Sequence, residues 1–430
     1  MSSPHHRLGH RVIRDEHLYQ DHWFSLPLDH RAADGEQLTV FAREIARQDA
    51  TDAPWLVYFQ GGPGHRADRP LSPSGWVKEA LKEFRVLLLD QRGTGLSSPI
   101  NRQTLPARGS AAQQASYLKH FRADSIVADA EAIRGALDSQ PWSILGQSFG
   151  GFCALSYLSF FPAGLKEAFI TAGLGPLHGH PDRVYRATYQ RVAARNREYF
   201  SRYPEDQVIA RQIAQHLAET PEFLPTGEQL TGHRFQMLGS FLGGNSRIDG
   251  LHYLLEDAFV ETSEGPRLSD SFLAQTSQLV SYAASPLYAV LHESIYCQGE
   301  ASRWAAARVA EERGDLAPDS VPFNFTGEAI MPWYFEEDPA LRPLREVAEL
   351  VAQDSDWPAL YDLEQLARND VPVAATAYFD DIYVDHGLAV ETARSVRGLK
   401  LWETGEYHHD GLRADGEKIF ATLKQLARGE

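Results

Sequence analysis

The sequence predicts an α/β fold, a mostly parallel sheet interrupted by a long helical insertion. Three observations carry this reading. Short, nearly continuous apolar runs of strand length recur through the first 173 residues, with helical segments between them. A long stretch of amphipathic helices follows, in which strand-like runs nearly vanish. The strand–strand–helix texture then returns near residue 370. Strands buried on both faces lose the polar alternation of half-exposed strands, and alternation of strands with helices is the trace of a layered α/β core.

The elements follow in order. "HWFSLPLDH" (22–30) and "EQLTVFAREIA" (36–46) flank the turn "RAADGE" with Asp34-Gly35, a hairpin signal. The apolar runs "WLVYFQ" (55–60), "RVLLLD" (85–90), "WSILGQ" (142–147) and "AFITAG" (168–173) read as buried strands. Between them, residues 122–137 place Ile126, Val127, Ala130, Ile133 and Leu137 at helical spacing. Residues 149–161, "FGGFCALSYLSFF", form a nearly all-apolar helix directly after a strand. From Leu174 the segments 183–204, 205–219 and 250–261 are long and amphipathic. "VPVAATAYFDD" (371–381) and "LKLWETG" (399–405) are the late strands, and "DGEKIFATLKQLARG" (415–429) is a closing helix. The predicted organisation is a core domain of residues 1–173 and 367–430, interrupted by a helical, substrate-selecting cap at 174–366.

Composition bounds the function. The chain has 430 residues, 43% hydrophobic and 23% charged, and 41 basic against 58 acidic side chains give a formal charge of −17. That balance excludes nucleic acid and anionic membrane surfaces as expected partners. Cys153 and Cys297 make neither a disulfide framework nor a metal spacing, which points to a reducing compartment. The polar start "MSSPHHRLGHRVIRDEH" lacks the apolar segment of a secretory signal. No apolar run approaches the ~20 residues a membrane helix needs. The expectation is a cytoplasmic protein, with a homo-oligomer left open.

Chemistry enters at Gly146-Gln147-Ser148-Phe149-Gly150. A serine on a sharp turn between a buried strand and a helix projects its hydroxyl from the sheet, and small neighbours relieve the crowding. Ser148 is therefore the expected nucleophile. The N–H of Phe149, at the start of the helix, is one expected donor to an oxyanion. "YFQGGPGHRADRP" (58–70) follows another strand, and its glycines let backbone N–H groups approach a ligand; Gly62, then Gly61, is the second expected donor. Asp90 and Arg92 in "LLLDQRGTGLSSP" (87–99) are read as bracing groups, able to pair with each other, and not as catalytic.

A serine hydrolase of this architecture needs an acid and a histidine later in the chain, in that order. The late strand ends at Asp380-Asp381 and the next is followed by "EYHHDGL", so both groups fall beyond strand carboxyl ends, where ligands gather in open α/β sheets. Asp380 and Asp381 are the candidate acids, and His408 and His409 the candidate histidines. Adjacent histidines do not converge on one ion without further spaced ligands, so neither a metal nor a cofactor is expected.

Together "GGPG", "DQRGTGLSSP" and "GQSFGGF" resemble the proline iminopeptidase (prolyl aminopeptidase) family of α/β-hydrolase-fold serine peptidases, which shows these three motifs in this order. They lie within residues 60–152, and the likeness extends more weakly to the late strands. Two departures stand out: Gln60 occupies the place of the usual histidine before the glycines, and "AYFDDIYVD" replaces the usual acid loop. Set against that loop, counting back from Val384-Asp385 favours Asp381 with Asp380 kept beside it, and the small or polar residues that follow the family's histidine favour His409 with His408 in reserve. The resemblance implies an α/β-hydrolase fold with an inserted cap, and a serine aminopeptidase acting on small peptides with a free N-terminus, proline first, through an acyl-enzyme. Esterases or other hydrolases on the same core, and a non-catalytic ligand-binding member of the fold, are the alternatives.

The resemblance further implies cap glutamates that hold the α-ammonium group. Glu293, in "VLHESIYCQG", and Glu328, in "FTGEAIMPWYFEEDP", are the candidates, with Glu336 and Glu337 behind them. Tyr296 and Trp333 are candidates to enclose a pyrrolidine ring.

Overall fold

The computed structural model of the chain describes residues 5–430, so residues 1–4 of the expected core lie outside the described part. Its strands are β1 (His5–Arg14), β2 (His17–Pro27), β3 (Gln37–Arg47), β4 (Trp55–Phe59), β5 (Arg85–Leu89), β6 (Trp142–Gln147), β7 (Leu165–Thr171), β8 (Phe259–Thr262), β9 (Gly265–Leu268), β10 (Val373–Tyr378) and β11 (Lys400–Thr404). All but β8 and β9 join one nine-stranded sheet, in the order β1-β2-β3-β5-β4-β6-β7-β10-β11. The pairs β1–β2, β2–β3 and β3–β5 are antiparallel, and every neighbour beyond β5 is parallel. This is the expected α/β class.

The β2–β3 hairpin forms as its turn chemistry predicts, with Pro27 opposite Gln37 and the Leu28 N–H donating to the Glu36 carbonyl at 2.7 Å. β4 and β10 are buried along their whole length, which explains their lack of polar alternation. The helices Ala123–Ala136 and Phe149–Phe160 pack one face of the sheet, and Gly75–Ala80 and Gly416–Arg428 pack the other. β1 was not expected. It is an exposed edge strand rich in arginine and histidine, and only its pairing with β2 makes it a strand.

Residues between β7 and β10 are mainly helical, led by Asp182–Arg202 and Pro204–Glu219, and bury an apolar cluster that also takes in Leu105, Leu118 and Phe121. The segment 250–261, read as one helix, splits. Its first part continues the helix Ile248–Glu256, and its last residues enter β8, which pairs with β9 as a hairpin. Buried Arg122 ties this insertion to the core by donating to the carbonyls of Ser294, Cys297 and Pro358 at 3.0, 2.6 and 2.7 Å. Gly64, in the loop after β4, lies against the backbone of Leu287 and Tyr288, so the helix Pro286–Leu291 rests directly on that loop.

Asp90 and Arg92 do not pair with each other. Asp90 accepts from the backbone of Ala67 and Leu96 and from Arg69, which pins the loops after β4 and β5 together. Arg92 is fully buried and turned away, bonded to Asp129 and to the carbonyls of Pro27, Leu28 and His120. Each guanidinium and carboxylate found a partner on another segment, because both side chains leave the strand end in different directions.

The turn between β6 and the helix Phe149–Phe160 is forced by contact. A Cβ at Gly150 would overlap the Phe59 carbonyl oxygen of β4, and one at Gly151 would overlap the Gly173 carbonyl after β7. The helix can therefore lie this close to the sheet only where side chains are missing. Gly150→Ala is expected to lower the thermal midpoint by several degrees, since overpacking costs about 1–3 kcal/mol. Gly135→Ala, whose Cβ would meet nothing within 4 Å, is expected to leave it equal or slightly raised. A calorimetric scan of the two variants decides the matter.

Candidate active site

Ser148 occupies the tip of that turn with φ 54° and ψ −123°, a left-handed backbone that a side chain adopts only under constraint. Its N–H donates to the Thr171 carbonyl at 3.0 Å and its carbonyl accepts from Gly151 at 2.7 Å, which holds the turn from both sides. The strand on one side and the helix on the other leave the hydroxyl as the projecting group.

Three side chains from distant parts of the chain meet there. The Ser148 hydroxyl lies 2.9 Å from His409 Nε2. His409 Nδ1 lies 2.8 and 3.1 Å from the two oxygens of Asp381. A ring nitrogen facing a carboxylate carries the proton, so Nδ1–H donates to Asp381 and Nε2 is left to accept from the serine. Asp381 is buried, and its Oδ1 also accepts from the N–H groups of Tyr383 and Val384 at 2.8 and 3.1 Å. The loop after β10 wraps around this carboxylate.

Asp380 is not brought in. It is exposed, and only its backbone carbonyl is engaged, 3.2 Å from His408 Nδ1. His408 thus points away from His409, and the adjacent histidines share no common centre. Counting along the strand could not separate the two aspartates; the turn that returns the Asp381 N–H to the Tyr378 carbonyl does.

The electrostatics support the cation that forms when His409 takes up the serine proton. Burial would push the His409 ring down, but the charge and hydrogen bond of Asp381, with the nearby carboxylates of Glu328 and Asp410, hold it above the ordinary histidine value. The Tyr383 ring packs edge-on against it at 4.8 Å.

The loop after β4 reaches the serine. A Cβ on Gly61 would stand 3.1 Å from the Ser148 Cβ, so this residue has no room for a side chain. Gly62 takes φ +138°, a conformation that L residues rarely adopt. Among the described residues its N–H has no backbone acceptor, and Phe149, as the first helical residue, has an N–H free of the helix ladder. Gln60, in the family histidine's place, is bound at its carbonyl by Gln91 Nε2 at 2.9 Å.

These groups open onto a cavity of about 660 Å³, whose walls include Gly61, Gly62, Ser148, His409 and Glu328. Glu328 accepts from the Tyr288 hydroxyl, and burial pushes its carboxyl up. Glu293 does not join the wall. Its two oxygens accept from the N–H groups of Ala305 and Ala306 at 3.1 and 2.8 Å, capping the helix Ala305–Glu311. Held at a helix start and absent from the cavity lining, this carboxylate is not placed to take a substrate ammonium group. Tyr296 packs between Phe152 and Tyr185, and Trp333 stands against His233 and Tyr334, both away from the cavity wall. Glu336 pairs with Arg345 and Glu337 accepts from Thr231.

No residue pattern marks Tyr288, Tyr383, Arg247 or Arg413, of which Tyr288 bonds Glu328 and the others line the cavity. Tyr288 lies five residues before Glu293 in the same cap segment, but nothing in its spacing marks it as the partner of Glu328. Because Glu328 stabilises the His409 cation, Glu328→Gln is expected to lower the imidazole titration midpoint from its raised position, as followed by NMR. An unchanged midpoint would show that the two groups do not sense each other.

The chain is similar to known proteins in its fold and over its length. The sequence profile of the α/β hydrolase fold matches residues 54–226. The chain is 49% identical over 433 residues to a proline iminopeptidase of Aeromonas sobria, with 100% of each protein covered. It is 39% identical over 418 residues to the proline iminopeptidase aneH of Aspergillus aculeatus, covering 94% of this chain and 92% of that one.

Proposed function

The chain belongs to the proline iminopeptidase family of α/β-hydrolase-fold enzymes, and on that premise we propose that it is a serine aminopeptidase releasing an N-terminal residue, above all proline, from peptides. The observation that carries the reading is the relay Ser148–His409–Asp381 opening onto a cavity whose wall also holds Glu328.

The geometry supports the following course. Ser148 Oγ attacks the carbonyl carbon of the first residue while its proton passes to His409 Nε2. Asp381 fixes the Nδ1–H tautomer and stabilises the imidazolium that forms. The oxyanion accepts from the Phe149 and Gly62 N–H groups, each worth about 3–4 kcal/mol in such a site. His409 then returns the proton to the departing amine, and the first residue stays esterified to Ser148. Water, deprotonated by His409, attacks the ester carbonyl, the C–Oγ bond breaks, and the released acid leaves Ser148 protonated again.

Glu328 supplies the amino-terminal specificity. One of its oxygens accepts from Tyr288, and among the described residues the other has no partner. A substrate ammonium group there would offset the cost of the buried carboxylate through a charge-assisted hydrogen bond. The helical insertion, residues 174–366, acts as the cap that brings Glu328 and Tyr288 over the serine and closes the pocket to longer N-terminal extensions. Free, buried Cys153 and Cys297 suit a cytoplasmic enzyme. Among the described residues no helix is long and apolar enough to cross a membrane.

Ser148→Ala is expected to reduce hydrolysis of proline arylamides by at least about 10³-fold with an unchanged circular-dichroism spectrum. Full activity in that variant would sink the mechanism. Glu328→Gln is expected to raise KM for substrates with a free amine roughly tenfold or more while leaving KM for N-blocked esters unchanged, any effect through His409 falling on kcat of both, which steady-state kinetics on both substrate types will separate.

A further inference from the structure

Charges of both signs line the cavity. Glu328, from the insertion, is buried near His409. Two guanidinium groups of the same lining, Arg247 and Arg413, are exposed. Arg247 comes from the insertion and lies over the Phe241 ring at 4.9 Å. Arg413 comes from the core, in the short helix Gly411–Ala414 just past His409. Among the described residues neither has a carboxylate within ion-pair distance. Arg69 lines the same cavity, but its guanidinium is spent on Asp90 and the Ala67 carbonyl. Asp68 and Asp410 line the same cavity, Asp410 accepting from the Ser246 hydroxyl and N–H, and among the described residues neither forms an ion pair with Arg247 or Arg413. In a chain of net charge −17, two unpartnered arginines converging on one cavity from two separate segments call for an anionic ligand.

We propose that Arg247 and Arg413 bind the C-terminal carboxylate of the peptide, so that the substrates are short peptides, of two or three residues, with free carboxyl ends. This rests on the aminopeptidase reading above. With the ammonium group at Glu328 and the first carbonyl at Ser148, the carboxylate of a dipeptide lies one residue farther along, a step of about 3.8 Å between Cα atoms, and that of a tripeptide two. The rings of Tyr58 and Trp76, tilted by 30° with centroids 4.5 Å apart, line the same cavity and offer an apolar surface for the second side chain. Guanidinium groups bind carboxylates through paired N–H donors, which amides cannot match.

The test compares prolyl-leucine with prolyl-leucinamide at low ionic strength, with proline arylamide as the reference for the basic activity. The wild-type protein is expected to favour the free acid about tenfold in kcat/KM, with the difference in KM. The preference should shrink in high salt, which screens exposed charges. It should fall towards parity in Arg247→Gln/Arg413→Gln and recover in part in Arg247→Lys/Arg413→Lys. Because each ratio is taken within one protein, loss of folded material does not distort it. Parity in the wild type, or a preference that the glutamine variant keeps, overturns the proposal while arylamide turnover leaves the peptidase reading intact. No arylamide turnover in the wild type overturns that reading, and this inference with it.

Discussion

The arrangement depends on how closely one helix can approach one sheet. Helix Phe149–Phe160 lies on the carboxyl ends of β4 and β7 only because Gly150 and Gly151 present no side chain to the carbonyls of Phe59 and Gly173. That approach makes the connection from β6 too short for a relaxed turn, and the strain collects at Ser148, whose φ is positive. The strain is held by packing on every side, so the hydroxyl cannot relax back into the sheet. Gly61 completes the constraint by bringing the loop after β4 against the same serine. The position of the proposed nucleophile and the proposed oxyanion donors thus have one steric origin.

The sheet order does the rest. β6 stands near the middle, and β10 and β11, which carry the loops with Asp381 and His409, are its second and third neighbours on one side. Parallel strands send their carboxyl ends to one edge, where the three side chains meet although their positions in the chain lie 261 and 28 residues apart. The insertion is fastened at this same edge. The Tyr383 hydroxyl donates to the Ser240 carbonyl at 3.0 Å, and Asp410 holds Ser246; each core residue is a near neighbour in sequence of Asp381 or His409.

Much of this was legible in the sequence, and the illegible parts have physical reasons. Buried parallel strands announce themselves because both faces must be apolar, and the Ser148 turn because its glycines have no substitute. β1 gave no such sign, since an exposed edge strand needs only backbone pairing. The choice between Asp380 and Asp381 turns on which carboxylate two backbone N–H groups enclose, a property of the loop and not of its residue types. Glu293 and Glu328 look alike as glutamates in a helical cap. One caps a helix that begins twelve residues later and the other faces a cavity, and only the folded chain distinguishes them. Asp90 and Arg92 were likewise correct as bracing groups and wrong as partners, because each reached a segment far away.

The split core has a consequence for the growing chain. During synthesis, residues up to β7 emerge with the serine and the glycine loop already encoded, while the acid and the histidine wait for roughly two hundred further residues. Until β10 arrives, β7 is a bare edge, and its residues from Glu167 to Thr171 are ones that the finished protein buries. An unpaired apolar edge of that kind invites pairing with other chains. With the triad proposed above, the nascent chain lacks its acid and histidine at the same stage at which β7 lacks its partner, and both conditions end together when the last two strands dock.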